Sequence, residues 1–76
     1  MGTKSFKLDK ILCRKFGQKI RFLREEKGLK QDELAFLSKI SPSYLSAIER
    51  GITDTTISTL KRLAKALNVK PNELLL

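Results

Sequence analysis

The side chains of this sequence that could do chemistry are hydroxyl groups and cations, which suit binding better than catalysis. The chain has no histidine, Cys13 is its single cysteine, and no pair of carboxylates stands out for acid–base work. We therefore expect no enzymatic activity and no catalytic residue. One cysteine without histidine also excludes an intramolecular disulfide and a Cys/His metal site. The sequence thus predicts no metal, no cofactor and no small-molecule ligand.

Cations are in large excess over anions. Sixteen Lys and Arg residues against eight Asp and Glu give the 76 residues a net charge of +8 and an isoelectric point of about 10.0. A small chain with this excess is attracted to polyanions such as nucleic acids. The alternative for most of the lysines is that they only solvate an exposed helix face. Between residues 4 and 24 one acid, Asp9, is outnumbered by eight basic residues: Lys4, Lys7, Lys10, Arg14, Lys15, Lys19, Arg21 and Arg24.

Residues 31–50, with the sequence QDELAFLSKISPSYLSAIER, are predicted to form two short helices separated by a tight turn. Apolar and small residues of the first helix repeat at helical spacing. Ser41 and Pro42 then begin the second helix, because a serine oxygen can cap free N–H groups and proline suits the first turn. Gly51 ends it. About three residues remain between the two helices, which is the length found in a helix-turn-helix.

Three further helices and no strand are predicted in the rest of the chain, so that the fold class is all-α with five helices. The first helix covers residues 9–27 and stops at Gly28. The fourth begins after Thr56 as N-cap, Asn68 ends it, and residues 71–76 form a short fifth helix. The residues expected to line the core are Leu12, Phe16, Ile20 and Leu23 in the first helix and Ile57, Leu60, Leu63, Ala64 and Leu67 in the fourth.

The sequence indicates one intracellular domain over residues 1–76. No apolar run approaches the ~20 residues of a membrane span, and the start MGTKSF lacks the apolar core of a signal peptide. We therefore expect a cytoplasmic protein, associated with the nucleoid if it binds DNA, and no membrane partner. Residues 1–8 have three alternatives: a loose extension, a continuation of the first helix, or a cover over apolar surface.

A long stretch of the chain resembles the Cro/repressor-type (XRE-like) helix-turn-helix proteins of phages and bacteria. The stretch is LREEKGLKQDELAFLSKISPSYLSAIERG with TISTLKRLAKALNV after it, and the resemblance covers residues 16–76. Its motifs are G-L-x-Q before the second helix, E-L-A within it, S-x-I-E-R-G at the end of the third, and L-x-x-L-A-x-A-L-x-V in the fourth. Together they imply a five-helix, lambda-repressor-like DNA-binding domain with its motif at residues 31–50.

The resemblance also implies where double-stranded DNA would bind. The third helix, residues 42–50, would lie in the major groove as the recognition helix. Gln31 would bond a phosphate or a neighbouring base at the start of the second helix. Arg50 and the loop 51–55, including Thr53, would meet the flanking backbone. The residues expected at base edges are Ser41, Pro42, Ser43 and Tyr44, with Ser46 and Ala47 one turn later.

The family also commonly pairs an arginine late in the first helix with the glutamate that ends the third, here Arg24 and Glu49. Two departures from the family pattern are visible. Lys39 stands where glycine is usual, so that a left-handed turn there would cost about 1–2 kcal/mol. The recognition face lacks Gln, Asn and Arg for bidentate base contacts, so that selectivity should depend on DNA shape, the loop and Tyr44. For Tyr44 the alternative is a half-buried packing role, and Asp54 should turn back to cap the fourth helix.

Apolar residues outside the predicted core indicate self-association, and a two-fold homodimer is the commonest form. The expected interface is the outer face of the fourth helix with Leu74, Leu75 and Leu76. The predicted function is a homodimeric, sequence-specific DNA-binding regulator of transcription. A restriction-modification controller protein, a phage-type repressor and an antitoxin all fit the resemblance. A helical adaptor that binds only protein and a cationic helix that binds anionic membrane are the alternatives from other classes.

Overall fold

The computed structural model describes residues 9–75, which form four α-helices, one short 3-10 helix and no strand. The helices are α1 Lys10–Glu26, α2 Gln31–Ser38, α3 Pro42–Glu49 and α4 Ile57–Leu67, and the 3-10 helix is Pro71–Leu75. The all-α class is as predicted, but the prediction of five helices is wrong, because residues 71–75 form a 3-10 helix instead of a fifth α-helix. This helix has only five residues, and a segment of this length readily adopts i→i+3 bonding. The predictions for residues 1–8 and for Leu76 lie outside the described residues.

The predicted helix starts are confirmed, because the capping side chains form the expected hydrogen bonds. Ser41 Oγ accepts from the backbone N–H of Tyr44 at 3.0 Å, with Pro42 in the first turn of α3. Thr56 Oγ1 accepts from the N–H of Thr59 at 3.1 Å. Asp9 is the N-cap of α1 rather than its first residue, since its carboxylate accepts from the N–H of Leu12. Each of these side chains satisfies an N–H group that the helix itself leaves without a partner.

Each of the four α-helices is followed by a residue in the left-handed conformation. Gly28, Gly51 and Asn68 were predicted to end helices, and Lys39 occupies the same conformation with φ 60°. After α2, the N–H of Ile40 donates to the carbonyl oxygen of Ala35 at 3.0 Å, which completes the helix-closing hydrogen bonds around Lys39. The turn between α2 and α3 therefore has the geometry that glycine usually provides, formed here at the expense of strain at a lysine.

All four α-helices and the 3-10 helix contribute to one buried cluster. On α1 the buried stripe includes Cys13 rather than Leu12, which is 42% exposed. Phe16 and Ile20 are buried as predicted, so that only the first member of the stripe differs, by one residue or about a quarter of a turn. Ile57 is likewise 50% exposed, whereas the other predicted core residues of α4 are buried. The buried apolar residues are Cys13, Phe16, Ile20, Leu34, Ala35, Leu45, Ile48, Leu60, Leu63, Ala64, Leu67 and Leu74.

Leu74 corrects the predicted dimer interface. It is 1% exposed and packs within the core, where the 3-10 helix contacts α1 and α4. A side chain that fills its own subunit's core is not available to a partner. Leu75, the next residue, is 41% exposed and remains accessible. The two leucines have different environments because a 3-10 turn directs consecutive side chains to different sides.

A close helix crossing fixes α1 against the end of α3. A Cβ atom at Gly17 would clash with the backbone carbonyl groups of Ile48 and Glu49. Further along, a Cβ atom at Gly51 would lie 2.9 Å from the Cα atom of Arg14. Both close contacts are possible because glycine has no Cβ atom. Together they set the position of α1 beside the C-terminal end of α3.

Candidate nucleic-acid interface

The first turn of α3 is exposed to solvent. Ser41, Pro42 and Ser43 are all exposed, while Leu45 and Ile48 on the opposite side of the helix are buried. The hydroxyl of Ser41 is already used as the helix cap and lies 3.4 Å from the hydroxyl of Ser43. Ser43 therefore has the hydroxyl better placed to meet an external group.

One turn later, α3 is less accessible. Ser46 and Ala47 are half-buried, and Arg50 is exposed at the C-terminal end. The guanidinium Nε of Arg50 donates to the carbonyl oxygen of Ser46 at 3.4 Å, a long bond that lies along the helix. The side chains predicted to contact DNA on α3 therefore share one side of the helix, most open at its first turn.

The C-terminal end of α3 is held by an ion pair between Arg24 and Glu49. Arg24 Nε lies 2.7 Å from Glu49 Oε2, and Arg24 Nη2 lies 3.1 Å from Glu49 Oε1. Their side chains are 11% and 3% exposed, so that the pair is nearly removed from water. Arg24 Nη1 also donates to the carbonyl oxygen of Leu29 at 2.7 Å. This fork joins α1 to α3 and to the turn before α2.

The bond to Glu49 raises the pKa of the Arg24 guanidinium, although burial alone would lower it. The attraction of the carboxylate thus outweighs the loss of hydration for the arginine. The guanidinium of Arg24 remains protonated, since arginine keeps its proton throughout the pH range of proteins. Its contribution is structural: it allows a glutamate to end α3 without adding an exposed negative charge beside the proposed DNA surface.

Gln31 belongs to the same network. Its amide Nε2 donates to Glu49 Oε1 at 3.0 Å, and the residue is half-buried at the start of α2. Sequence reasoning assigned Gln31 to a phosphate or a base and did not predict this bond. The bond fixes the side chain where α2 begins and joins the two helices of the motif. The second N–H of Nε2 remains available to a phosphate oxygen, because the amide group carries two hydrogens and Glu49 accepts one of them.

Tyr44 connects α3 to the loop that follows it. Its ring is half-buried against the core, and its hydroxyl donates to the carbonyl oxygen of Asp54 at 3.3 Å. Thr53 Oγ1 donates to the same carbonyl oxygen at 3.4 Å. The packing alternative for Tyr44 is thus present in the structure, while its predicted contact with a base remains a prediction. The loop is held close to the recognition helix by this tyrosine.

The prediction that Asp54 caps α4 is wrong, because the side chain of Thr56 caps this helix. Instead its Oδ1 accepts from the thiol of Cys13 on α1 at 3.8 Å. Burial raises the pKa of Cys13, and the nearby carboxylate of Asp54 raises it further, so that the side chain stays a neutral thiol. Asp54 therefore faces α1, which turns its charge away from the first turn of α3.

Arg62 was not singled out by the sequence and anchors the middle of the motif, at the end of α2. Its Nε donates to the carbonyl oxygen of Ser38 at 2.9 Å, and its Nη1 donates to Ser58 Oγ at 2.6 Å. The first bond joins α4 to the last residue of α2, next to the left-handed turn. Nothing in the sequence indicates this bond, because Arg62 lies within a run of basic residues. Only the packing of α4 against α2 brings its guanidinium to the carbonyl oxygen of Ser38.

Among residues 9–75, no helix is long and apolar enough to cross a membrane. The same residues contain no cluster of three or more His, Cys, Asp or Glu side chains that could hold a metal ion.

The helix pair, its buried ion pair and the exposed start of α3 define a helix-turn-helix DNA-binding domain. Residues 20–74 match the family described as helix-turn-helix (HTH_3), and the chain belongs to this family of DNA-binding transcriptional regulators. The motif predicted at residues 31–50 falls inside the matched region. The predicted family and the predicted class of function are therefore confirmed.

Individual relatives include restriction-modification controllers. The chain is 39% identical over 61 residues to the control protein C.BamHI of Bacillus amyloliquefaciens, covering 79% of this chain and 75% of that protein. It is similar to the crystal structure of the restriction-modification controller protein C.AhdI from Aeromonas hydrophila, with a TM-score of 0.80 and 45% identity over 82% of this chain and 94% of that chain. It is also similar to the crystal structure of SinR, the master regulator for biofilm formation, in complex with DNA. SinR is a Bacillus subtilis protein. The TM-score is 0.75, with 39% identity over 79% of this chain and 97% of that chain.

Proposed function

We propose that this regulator is a homodimer of the restriction-modification controller type that binds a specific operator in double-stranded DNA. The observation that carries the proposal is the exposed polar first turn of α3 on a helix whose other end is held by the Arg24–Glu49 pair. Such a helix can enter the major groove without changing its position in the domain. The likeness to C.AhdI and C.BamHI, both named as controllers, supports this type over other helix-turn-helix regulators.

In this proposal the first turn of α3 lies at base edges. Ser43 supplies an exposed hydroxyl, and Pro42 offers an apolar contact to a thymine methyl group. None of the exposed residues there can form the bidentate bonds that distinguish guanine or adenine most strongly. Sequence preference should therefore depend in good part on the shape and deformability of the operator.

The flanking contacts would come from the two ends of the motif. Arg50 is exposed at the end of α3, and Thr53 lies in the following loop that Tyr44 holds in place. At the start of α2, the free N–H groups and the positive end of the helix dipole favour a phosphate. These contacts position the protein on DNA without selecting a sequence.

The homodimer part of the proposal is supported by exposed apolar side chains where α1 and the 3-10 helix meet. Leu75 is 41% and Leu12 is 42% exposed, and both line one shallow depression between α1 and the 3-10 helix. We place the two-fold interface on this Leu12–Leu75 surface, which keeps Leu75 from the predicted interface and leaves out the buried Leu74 and the outer face of α4. Such a dimer would bind two half-sites, with the recognition helices about 34 Å apart.

Mobility-shift titration with the DNA just upstream of the protein's own gene tests operator binding, with a scrambled duplex of equal length as control. The wild type should prefer the upstream DNA. Because several cationic contacts per subunit release counterions, affinity should fall roughly a thousandfold or more between about 50 and 200 mM salt. An affinity that barely changes over this range would favour a protein adaptor instead.

Sedimentation equilibrium tests the dimer. Leu75→Glu should shift the protein toward monomer and weaken operator binding, because the second half-site then no longer adds its effective concentration. Leu37→Glu is the matched control, since Leu37 is also half exposed but lies on α2. If Leu37→Glu dissociated the dimer and Leu75→Glu did not, the interface would have to be moved to α2.

A further inference from the structure

A cleft of about 630 Å³ lies between the N-terminal part of α1 and the loop that follows α3, and basic side chains surround it. Lys10 and Arg14 line it from α1, and Arg50 lines it from the end of α3. All three residues are exposed. The loop 51–55 that completes the cleft contains no Lys or Arg, so that its positive charge comes from neighbouring helices.

The carboxylate of Asp54 does not cancel the positive charge of the three basic side chains. Asp54 is the one acid among the lining residues, and its Oδ1 accepts from the thiol of Cys13. Cys13 adds no negative charge, because burial and the nearby carboxylate favour its neutral form. The three cations therefore leave the cleft with a net charge of two positive units.

The cations of α1 have a fixed position relative to α3. The backbone of Gly17 lies directly against the last carbonyl groups of α3, and the backbone of Gly51 lies against Arg14. Neither helix can shift without breaking these close contacts. Arg14 thus leaves α1 at a point set by the C-terminal end of α3, beside the loop that would meet the DNA backbone.

We propose that this cleft binds a backbone phosphate of double-stranded DNA at the edge of the half-site. Arg14 and Lys10 hold it from α1, and Arg50 holds it from α3. The inference rests on the proposed docking of α3 in the major groove and extends the DNA surface to a helix outside the helix-turn-helix. Sequence reasoning left these α1 cations undecided between a nucleic-acid contact and a solvated helix face. A guanidinium and an ammonium on one wall facing a guanidinium on the other are well suited to a phosphodiester oxygen.

The salt dependence of binding tests the inference, because each phosphate contact adds about 0.9 to the slope of log affinity against log salt. We would measure operator affinity by fluorescence anisotropy for the wild type, Arg14→Gln and Lys10→Gln between about 50 and 200 mM salt. Each variant should lower the slope by at most about 0.9 per subunit, hence about 1.8 for a dimer, because the cleft takes one phosphate in each subunit, and each should weaken operator and scrambled DNA equally. Lys65→Gln, on an exposed position of α4, is the matched control and should leave the slope unchanged.

The outcomes separate this inference from the proposed function. If the wild type binds its operator and Arg14→Gln has the same slope of log affinity against log salt, the inference is overturned and the proposed function stays intact. A wild type that binds no duplex DNA would instead refute the proposed function. Inorganic phosphate at constant ionic strength gives a second readout. If it raised the melting temperature of the wild type but not of Arg14→Gln, while both proteins had the same salt slope for DNA binding, the cleft would be a site for a free anion, and the DNA assignment would be wrong.

Discussion

The two ends of α3 differ in how they are held, and the difference separates folding from recognition. At the C-terminal end, Glu49 receives hydrogen bonds from Arg24 and Gln31 and is almost fully buried. At the N-terminal end, the exposed Ser41 hydroxyl accepts from the N–H of Tyr44 and lies 3.4 Å from the hydroxyl of Ser43. Changes at the first end should therefore act mainly on the free energy of unfolding, and changes at the second mainly on DNA binding.

Breaking the buried end should have the largest effect. We expect Arg24→Ala to lower the free energy of unfolding by about 3–5 kcal/mol, because it leaves the Glu49 carboxylate buried without its cation. Urea unfolding followed by circular dichroism would measure the loss. Arg21→Ala is the matched control, since the bond of Arg21 to Glu25 lies on an exposed helix face and should contribute no more than about 1 kcal/mol.

A double variant sharpens the same test. Arg24→Met with Glu49→Met should recover much of the stability lost in Arg24→Ala, because no charge is then left buried alone. If Arg24→Ala cost no more than Arg21→Ala, the ion pair would not be what holds the buried end of α3.

Two serines at the exposed end allow a direct separation of stability from binding. Ser43→Ala should weaken operator binding by about 1–3 kcal/mol if its hydroxyl contacts a base, with the unfolding free energy nearly unchanged. Ser41→Ala should instead destabilise the fold by about 1 kcal/mol, because the cap of α3 is lost. Anisotropy titration and urea unfolding of both variants would measure the two effects. A Ser43→Ala variant with full affinity and unchanged operator preference would remove this hydroxyl from the recognition surface.

The turn between α2 and α3 should give the smallest effect. Lys39→Gly should raise the free energy of unfolding by about 1 kcal/mol, because glycine adopts the left-handed conformation without strain. Thermal unfolding would show a higher melting temperature with unchanged DNA affinity. Asn68→Gly is the control and should gain less, since asparagine tolerates the same conformation better than lysine does. A destabilised Lys39→Gly would show that the lysine side chain contributes more than the strain costs.

Local signals in the sequence were sufficient for the helix boundaries. Ser41 and Thr56 act as caps through bonds to residues three positions away, and Gly28 or Asn68 end helices through their own backbone conformation. Such features depend on neighbours in the chain, so that sequence reasoning can find them. The pairing of Arg24 with Glu49 spans 25 residues and came from the family resemblance rather than from spacing.

Features that depend on how helices cross were missed. Leu12 and Cys13 are both compatible with an apolar stripe, and only the packing of α1 decides which one is buried. Leu74 looked like surplus surface, but the core has room for it where the 3-10 helix meets α1 and α4. The cleft around Arg14 likewise exists only because Gly17 and Gly51 allow a close approach of backbones. These are properties of tertiary structure that no single segment encodes.

The bond from Arg62 to the carbonyl oxygen of Ser38 has a consequence for how protein and DNA fit each other. With Glu49 tied to α1 and Ser38 tied to α4, the helix-turn-helix is braced from both sides. A braced unit has little freedom to adjust its angle in the groove, so that the duplex must supply most of the adjustment. Operators rich in easily kinked pyrimidine–purine steps would then meet a lower bending cost. The mechanical stiffness of the protein thereby becomes a filter on which DNA sequences it accepts.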